Sequence, residues 1–200
     1  MLFRSYNDAA YDLFDNSFDN LDITSVNVSD NGSNVTFSVT TRGYQSWTKY
    51  MIFISTGSGG TTSNAWSRPV DLNGQNIQRF IGSWVDQPSG NSQFVNFSNG
   101  GWDWGGASTF SNSVLGNTVS WTVSMASLGL SAGGTMLFDV ATSGGGNDPG
   151  VDHLSRSTAA TPGWGTASVA GNFLSYTATP APGAIALLGV AGLVGSRRRK

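Results

Sequence analysis

Asn34 to Thr40 reads NVTFSVT, and Thr118 to Ser124 reads TVSWTVS. In the first stretch Val35, Phe37 and Val39 alternate with Asn34, Thr36, Ser38 and Thr40. In the second, Val119, Trp121 and Val123 alternate with Thr118, Ser120, Thr122 and Ser124. A repeat of two residues places the apolar set on one face of an extended chain and the hydroxyls on the other, so each stretch predicts a half-buried strand. Tyr50 to Ile54, YMIFI, is apolar throughout, as a central strand covered on both faces requires. Further strands are predicted at Asp22 to Ser29, Arg79 to Asp86, Ser92 to Ser98, Thr135 to Thr142 and Asn172 to Thr177. Asp30-Asn31-Gly32 supplies residues tolerant of positive φ for a hairpin between the first two strands. Helical periodicity never exceeds one turn. Met125 to Leu130, MASLGL, predicts a short helix or 3₁₀ turn. Glycine clusters at 57–60, 100–106 and 144–150 mark the longer loops. Many short strands separated by turn signals predict an all-β fold, an antiparallel two-sheet β-sandwich.

Composition narrows the function classes. Only 11% of residues are charged, against roughly 25% in ordinary soluble domains. All twelve acids are aspartate, and four of the ten cations are the last four residues. Residues 1–178 therefore carry six cations against twelve aspartates, a net charge of −6. Nucleic acid selects basic surfaces, so it is excluded as a partner. The chain has no cysteine, which removes disulfides, thiolate metal sites and thiol nucleophiles. Seven tryptophans and eleven phenylalanines supply enough apolar surface to exclude a disordered chain.

The final segment, Thr179 to Lys200, reads TPAPGAIALLGVAGLVGSRRRK. A Pro-bracketed hinge meets an apolar run, Gly183 to Gly195, and then Arg197, Arg198, Arg199 and Lys200. Thirteen residues at 1.5 Å per residue reach roughly 20 Å, short of the roughly 30 Å hydrocarbon core. Cations beside a membrane segment stay on the cytoplasmic side, so the preceding domain, residues 1–178, is expected to face outward. Export also calls for an N-terminal signal peptide with a basic and an apolar region. MLFRSYNDAAYDLFDNSFDN has no such run, so the expectation of export carries with it a leader missing from this chain.

The tail resembles the PEP-CTERM sorting signal of Gram-negative and related bacteria. Pro180, Ala181 and Pro182 match its Pro-x-Pro motif, Ile185 to Val194 its short apolar helix, and Arg197 to Lys200 its basic end. Ala181 stands where the namesake motif has glutamate. The resemblance implies export, a transient inner-membrane anchor, an exosortase-type processing enzyme as partner, and delivery to the cell surface or extracellular matrix. The body is similar, through strand patterns, to DOMON-like and family 9 carbohydrate-binding-module-like sandwiches. The segments concerned are Leu21 to Gly43, Tyr50 to Thr56, Ala65 to Val70 (AWSRPV), Ile81 to Asp86 (IGSWVD) and Ser127 to Gly144. That resemblance implies a jelly-roll-like sandwich and, in many relatives, sugar or haem binding. The sole histidine, His153, is expected in a Gly/Asp loop making ordinary hydrogen bonds, which gives no basis for haem.

Sugars present C–H faces that stack on tryptophan, and hydroxyls that pair with Asp, Asn and Arg. Trp102 and Trp104 flank Asp103 in the glycine loop GGWDWGG, Trp164 lies in TPGWGT, and Trp66 stands beside Arg68; these are the expected ligand-binding residues. Trp47, Trp84 and Trp121 fall in predicted strands and are expected in the core. Aspartates recur at Asp12, Asp15, Asp19 and Asp22, and again at Asp148 and Asp152. Oxygen ligands of this kind suit a structural Ca²⁺, with Asp148 and Asp152 as the expected ligands. No motif selects a carboxyl pair for glycoside hydrolysis, and Asp152-His153 is a neighbour pair that does not define a triad. The expected function is a non-catalytic surface or matrix protein that binds extracellular polysaccharide. A glycan-active enzyme using aspartates and a purely structural matrix protein are the alternatives.

Overall fold

The computed structural model describes residues 2–86 and 91–180. Its strands are β1 (Leu2–Asn7), β2 (Ile23–Asp30), β3 (Asn34–Thr41), β4 (Lys49–Ser55), β5 (Val70–Asp71), β6 (Arg79–Trp84), β7 (Ser92–Ser98) and β8 (Gly101–Trp102). They continue with β9 (Ser108–Phe110), β10 (Ser113–Leu115), β11 (Thr118–Ser124), β12 (Thr135–Ser143), β13 (Asp152–His153), β14 (Ser168–Val169) and β15 (Leu174–Thr177). One helical turn, α1 (Met125–Leu128), follows β11 and ends on Gly129 at φ 66°. The first sheet runs β1-β2-β3-β11-β10. The second runs β13-β12-β4-β6-β7-β8, with β15 on β12 and β9 on β7. Every pairing in these two sheets is antiparallel, and β5 and β14 form a separate parallel pair. The fold is the all-β sandwich that the alternating stretches predict.

Alternation decides which face of the first sheet meets the core. Val35, Phe37, Val39, Val119 and Trp121 are fully buried. Their outward neighbours join across β3 and β11 through hydroxyls: Thr36 to Thr122, Ser38 to Ser120 and Thr40 to Thr118, each at 2.8 Å. Apolar side chains thus leave water while the polar face is satisfied laterally, the cross-strand pairing that stabilises a sheet. The two sheets meet through Phe37 and Phe138, with ring centroids 5.7 Å apart, and through Tyr50 and Trp121 at 5.1 Å. The Trp121 indole N–H donates to Ser92 Oγ at 3.0 Å, so the largest core residue leaves no buried donor unpaired.

Strand β4 is apolar on both faces because both faces are covered. Tyr50, Ile52 and Ile54 enter the core between the sheets. Met51 and Phe53 enter a second cluster with Phe80, Val95 and Ala141. Residues 56–78 lie over this outer face, contributing Ala65, Val70, Leu72 and Ile77. Gln78 fastens the overlay: its backbone N–H donates to Ile54 O at 3.0 Å, and its side chain binds Thr56 N, Gly57 O and Gly59 O. At one end, a strap formed by residues 8–22 joins β1 to β2. It packs Leu13, Phe14, Phe18 and Leu21 against Val151 and Trp164.

Three sequence expectations change. Trp47 lies in the turn before β4, 38% exposed and edge-on to Phe18, because YMIFI alone fills the strand. His153 is fully buried in β13 instead of lying in an open loop. Leu2–Asn7, read only as lacking a leader, pairs over its whole length with Ser25–Asp30 of β2. Ala181, Pro182, Arg197, Arg198, Arg199, Lys200 and the expected C-terminal helix lie outside the described residues.

The root of the tail is described. Asp30, at the β2–β3 hairpin, accepts from Gly32 N at 3.0 Å and Tyr176 Oη at 2.6 Å. It also accepts from Thr179 N at 2.9 Å and Thr179 Oγ1 at 3.0 Å. Burial works to raise its pKa, but the bonds from Tyr176, Thr179 and Gly32 outweigh burial and hold the carboxyl below its ordinary value. A depressed native pKa contributes stability above the unfolded value, about 3.9, and that contribution is lost as pH falls through the native one. Asp30→Asn is therefore expected to lower the unfolding free energy at pH 7 by about 1–3 kcal/mol. Urea denaturation at several pH values should show the difference from the natural sequence shrinking below about pH 4.

Candidate functional site

Asn64 closes the turn that presents Trp66. Its side-chain oxygen accepts from Arg68 N at 3.1 Å, and its amide donates to Arg68 O at 2.8 Å. The Trp66 ring then lies across β6 at Gly82, where a Cβ would overlap the indole. Gly82 and Trp84 share a face of the strand, so a missing side chain followed by a large one leaves a slot that Trp66 fills. Its ring is 5.8 Å from that of Trp84, tilted by 43°, and 5.4 Å from that of Phe80. The indole N–H donates to Gln93 Oε1 at 3.3 Å, fixing the ring's orientation.

Trp66, Trp84, Arg68, Lys49 and Gly146 enclose an open depression of about 220 Å³. The Arg68 guanidinium sits 5.3 Å from the Trp66 ring centroid, within cation–π range. Nη1 of Arg68 donates to Ser143 Oγ at 2.7 Å and to Asp148 O at 3.1 Å. Burial pulls the Arg68 pKa down and the Asp148 charge opposes this; a guanidinium remains charged at physiological pH regardless. Lys49 stands opposite Trp84 in the β4–β6 register and pairs with Asp86 at 3.0 Å. Two half-buried indoles line the depression, with the buried Arg68 beside Trp66 and the Lys49–Asp86 pair beside Trp84.

The other expected ligand residues are dispersed. Trp102 packs between Phe80 and Phe97, at 6.1 and 5.4 Å. Trp104 is 45% exposed. Its backbone N–H donates to Trp102 O at 3.1 Å, and this tight turn breaks the alternation that would have set both rings on one face. Asp103 accepts from Gly106 N at 2.9 Å and holds the loop closed. Trp164 meets Phe14 and Phe18 edge-on, at 5.4 and 5.2 Å, beneath the strap.

His153 heads a buried relay. Nδ1 is 2.7 Å from Asp139 Oδ2, and Nε2 is 3.1 Å from Ser168 Oγ. Ser168 Oγ also accepts from Gly150 N at 3.1 Å. The order Ser-His-Asp is that of a nucleophilic triad, but all three side chains are fully buried and the imidazole is stacked on Phe53. No substrate carbonyl reaches Ser168 in this arrangement. The relay ties β12, β13 and β14 together.

Acids from both sequence clusters converge elsewhere. Asp12 in the strap, Asp22 ahead of β2 and Asp152 in β13 offer carboxylate oxygens that lie within 4.8 Å of one another. Asp152 accepts from Ile23 N at 2.6 Å and His153 N at 2.8 Å. Asp22 accepts from Tyr11 N at 2.8 Å and Arg42 Nε at 2.6 Å, both on Oδ2. Asp8 is close enough for the charges of Asp12 and Asp22 to act on it. Burial, then these charges, push its pKa up to about 8 against the opposing Ala9 N–H. Burial likewise raises Asp152 well above its ordinary value, and burial with the Asp22 charge raises Asp12. Asp148 does not join this group; its carbonyl serves Arg68 and Ser143 instead.

No protein-family model matches the chain, and no curated protein matches it.

Sequence reasoning names Trp66 and Arg68 but assigns Trp84 to the core; the signal for its position is the glycine two residues earlier in IGSWVD. If the relay is structural, Ser168→Ala should lower the unfolding free energy by about 1–3 kcal/mol, because Gly150 N and the imidazole lose a buried partner. Chemical denaturation measures this. Turnover of a nitrophenyl ester by the natural sequence that is lost in a fully stable Ser168→Ala variant would show a catalytic serine instead.

Proposed function

We propose that this chain is a non-catalytic glycan-binding protein of the cell surface or extracellular matrix, with its ligand seated on Trp66 and Trp84. The observation that carries this reading is the pair of half-buried indoles edged by Arg68 and Lys49. An indole face removes sugar C–H groups from water, and Arg68 and Lys49 among the lining residues favour a sugar bearing carboxylate, sulfate or phosphate. The depression is smaller than the roughly 300–1,000 Å³ of drug-sized pockets. It suits one ring, or the exposed edge of a polymer, rather than an enclosed small molecule. Burial of Ser168, His153 and Asp139 supports the non-catalytic half of the reading.

Delivery is proposed to follow the tail: export, a transient hold in the inner membrane by Gly183 to Gly195, and processing near Pro180-Ala181-Pro182. The anchoring of Thr179 on Asp30 supports a folded body that ends where the sorting segment begins.

Affinity electrophoresis against acidic and neutral polysaccharides tests the ligand. Retardation by an acidic polymer is expected, weakened at least about tenfold by Trp84→Ala, the loss of one aromatic platform being about 1.4 kcal/mol or more. Trp104→Ala, on a separate loop, should retain it. Unchanged migration in every polymer, or equal binding by Trp84→Ala, contradicts the reading. Sorting is tested separately by fusing residues 179–200 to an exported reporter. A shorter product is expected only in cells carrying an exosortase, and equal mass with and without the enzyme contradicts the assignment.

A further inference from the structure

Half of the buried polar side-chain atoms without a hydrogen-bond partner, among the described residues, belong to one place. They are Asp8 Oδ2, Asp12 Oδ1, Asp12 Oδ2 and Asp22 Oδ1, four of eight. Asp22 is fully buried and its Oδ1 has no donor, and one carboxylate oxygen each from Asp12, Asp22 and Asp152 lie within 4.8 Å of one another. Leaving a buried carboxylate oxygen unpaired costs more than leaving most groups unpaired, and crowding several acids adds repulsion. Arg42 meets this group, but its bonds go to Asp22 Oδ2, Asp19 and Asn16. The oxygens left over still lack a positive partner.

We infer that Asp12, Asp22 and Asp152, with Asp8 beside them, bind a calcium ion that clamps the N-terminal strap to the sandwich. The donor set is all carboxylate oxygen, which selects a hard cation over zinc or copper. Oxygens 2.3–2.6 Å from calcium lie at most about 5 Å apart, so three within 4.8 Å need little rearrangement. Magnesium needs shorter bonds, near-octahedral order and retained water, which favours calcium here. The ligands come from the strap, the start of β2, and β13, so the ion would join segments about 130 residues apart in sequence.

The test uses the full chain after EDTA treatment and desalting, melted in calcium, in magnesium and in EDTA. At a hundredfold excess of calcium over its dissociation constant, the melting temperature should rise by about 5–10 °C. Asp12→Asn should fold, because neither Asp12 oxygen holds a structural hydrogen bond. Its melting temperature in EDTA should equal or exceed that of the natural sequence, and its calcium response should vanish. Asp148→Asn should keep the full response. Terbium luminescence sensitised by Tyr11 or Trp164, and displaced by calcium, reads the same site without any variant. Identical melting in calcium and EDTA, an undiminished response in Asp12→Asn, or an equal response to magnesium would each overturn the assignment.

Discussion

Double-sided burial of β4 is the constraint on which the rest of the molecule depends. Tyr50, Ile52 and Ile54 close the core between the sheets, while Met51 and Phe53 need a second cover on the opposite face. An antiparallel sheet commonly leaves one face to water. Here residues 56–78 are laid over it and locked by Gln78. That overlay carries Trp66 and Arg68. The depression beside Trp66 is thus a by-product of completing a core: once the overlay is down, Trp66 must sit on Gly82, and Trp84 and Lys49 are already at the adjoining strand ends.

The opposite problem is solved at the strap. There the excess is polar, with acids gathered from Asp8 to Asp22 and from β13 and no comparable supply of cations. In the hydroxyl ladders of the first sheet and the Asp30 cluster at the root of the tail, the polar groups named are paired with donors and acceptors of the chain itself. The strap departs from that habit. A missing partner there is a statement about chemistry, since most buried carboxylates in folded proteins are satisfied.

Much of the architecture was legible in sequence because it rests on a period of two. Alternation in Asn34 to Thr40 and Thr118 to Ser124 located β3 and β11, and the unbroken YMIFI announced a covered strand. Ser92 to Ser98 coincides with β7. Short pieces such as β5, β8 and β14 were not legible: two residues carry no period, and only tertiary contact makes them strands. The sites were less legible for a related reason. Trp102 and Trp104 look paired in GGWDWGG, but one backbone turn separates their rings. Trp84 looks like core, yet it becomes a wall only because Gly82 admits Trp66. The acids are the clearest instance, since no spacing rule brings Asp22 and Asp152 together; the sandwich does.

Native-state hydrogen exchange tests most directly whether the overlay and β4 form one cooperative unit. If they do, the amides of Ile77 and Gln78 should exchange as slowly as those of Ile52 and Ile54, all through global unfolding. Exchange at Ile77 and Gln78 that is orders of magnitude faster, with β4 still protected, would mean that residues 56–78 lift away on their own. The Trp66 wall would then not be a fixed part of the fold.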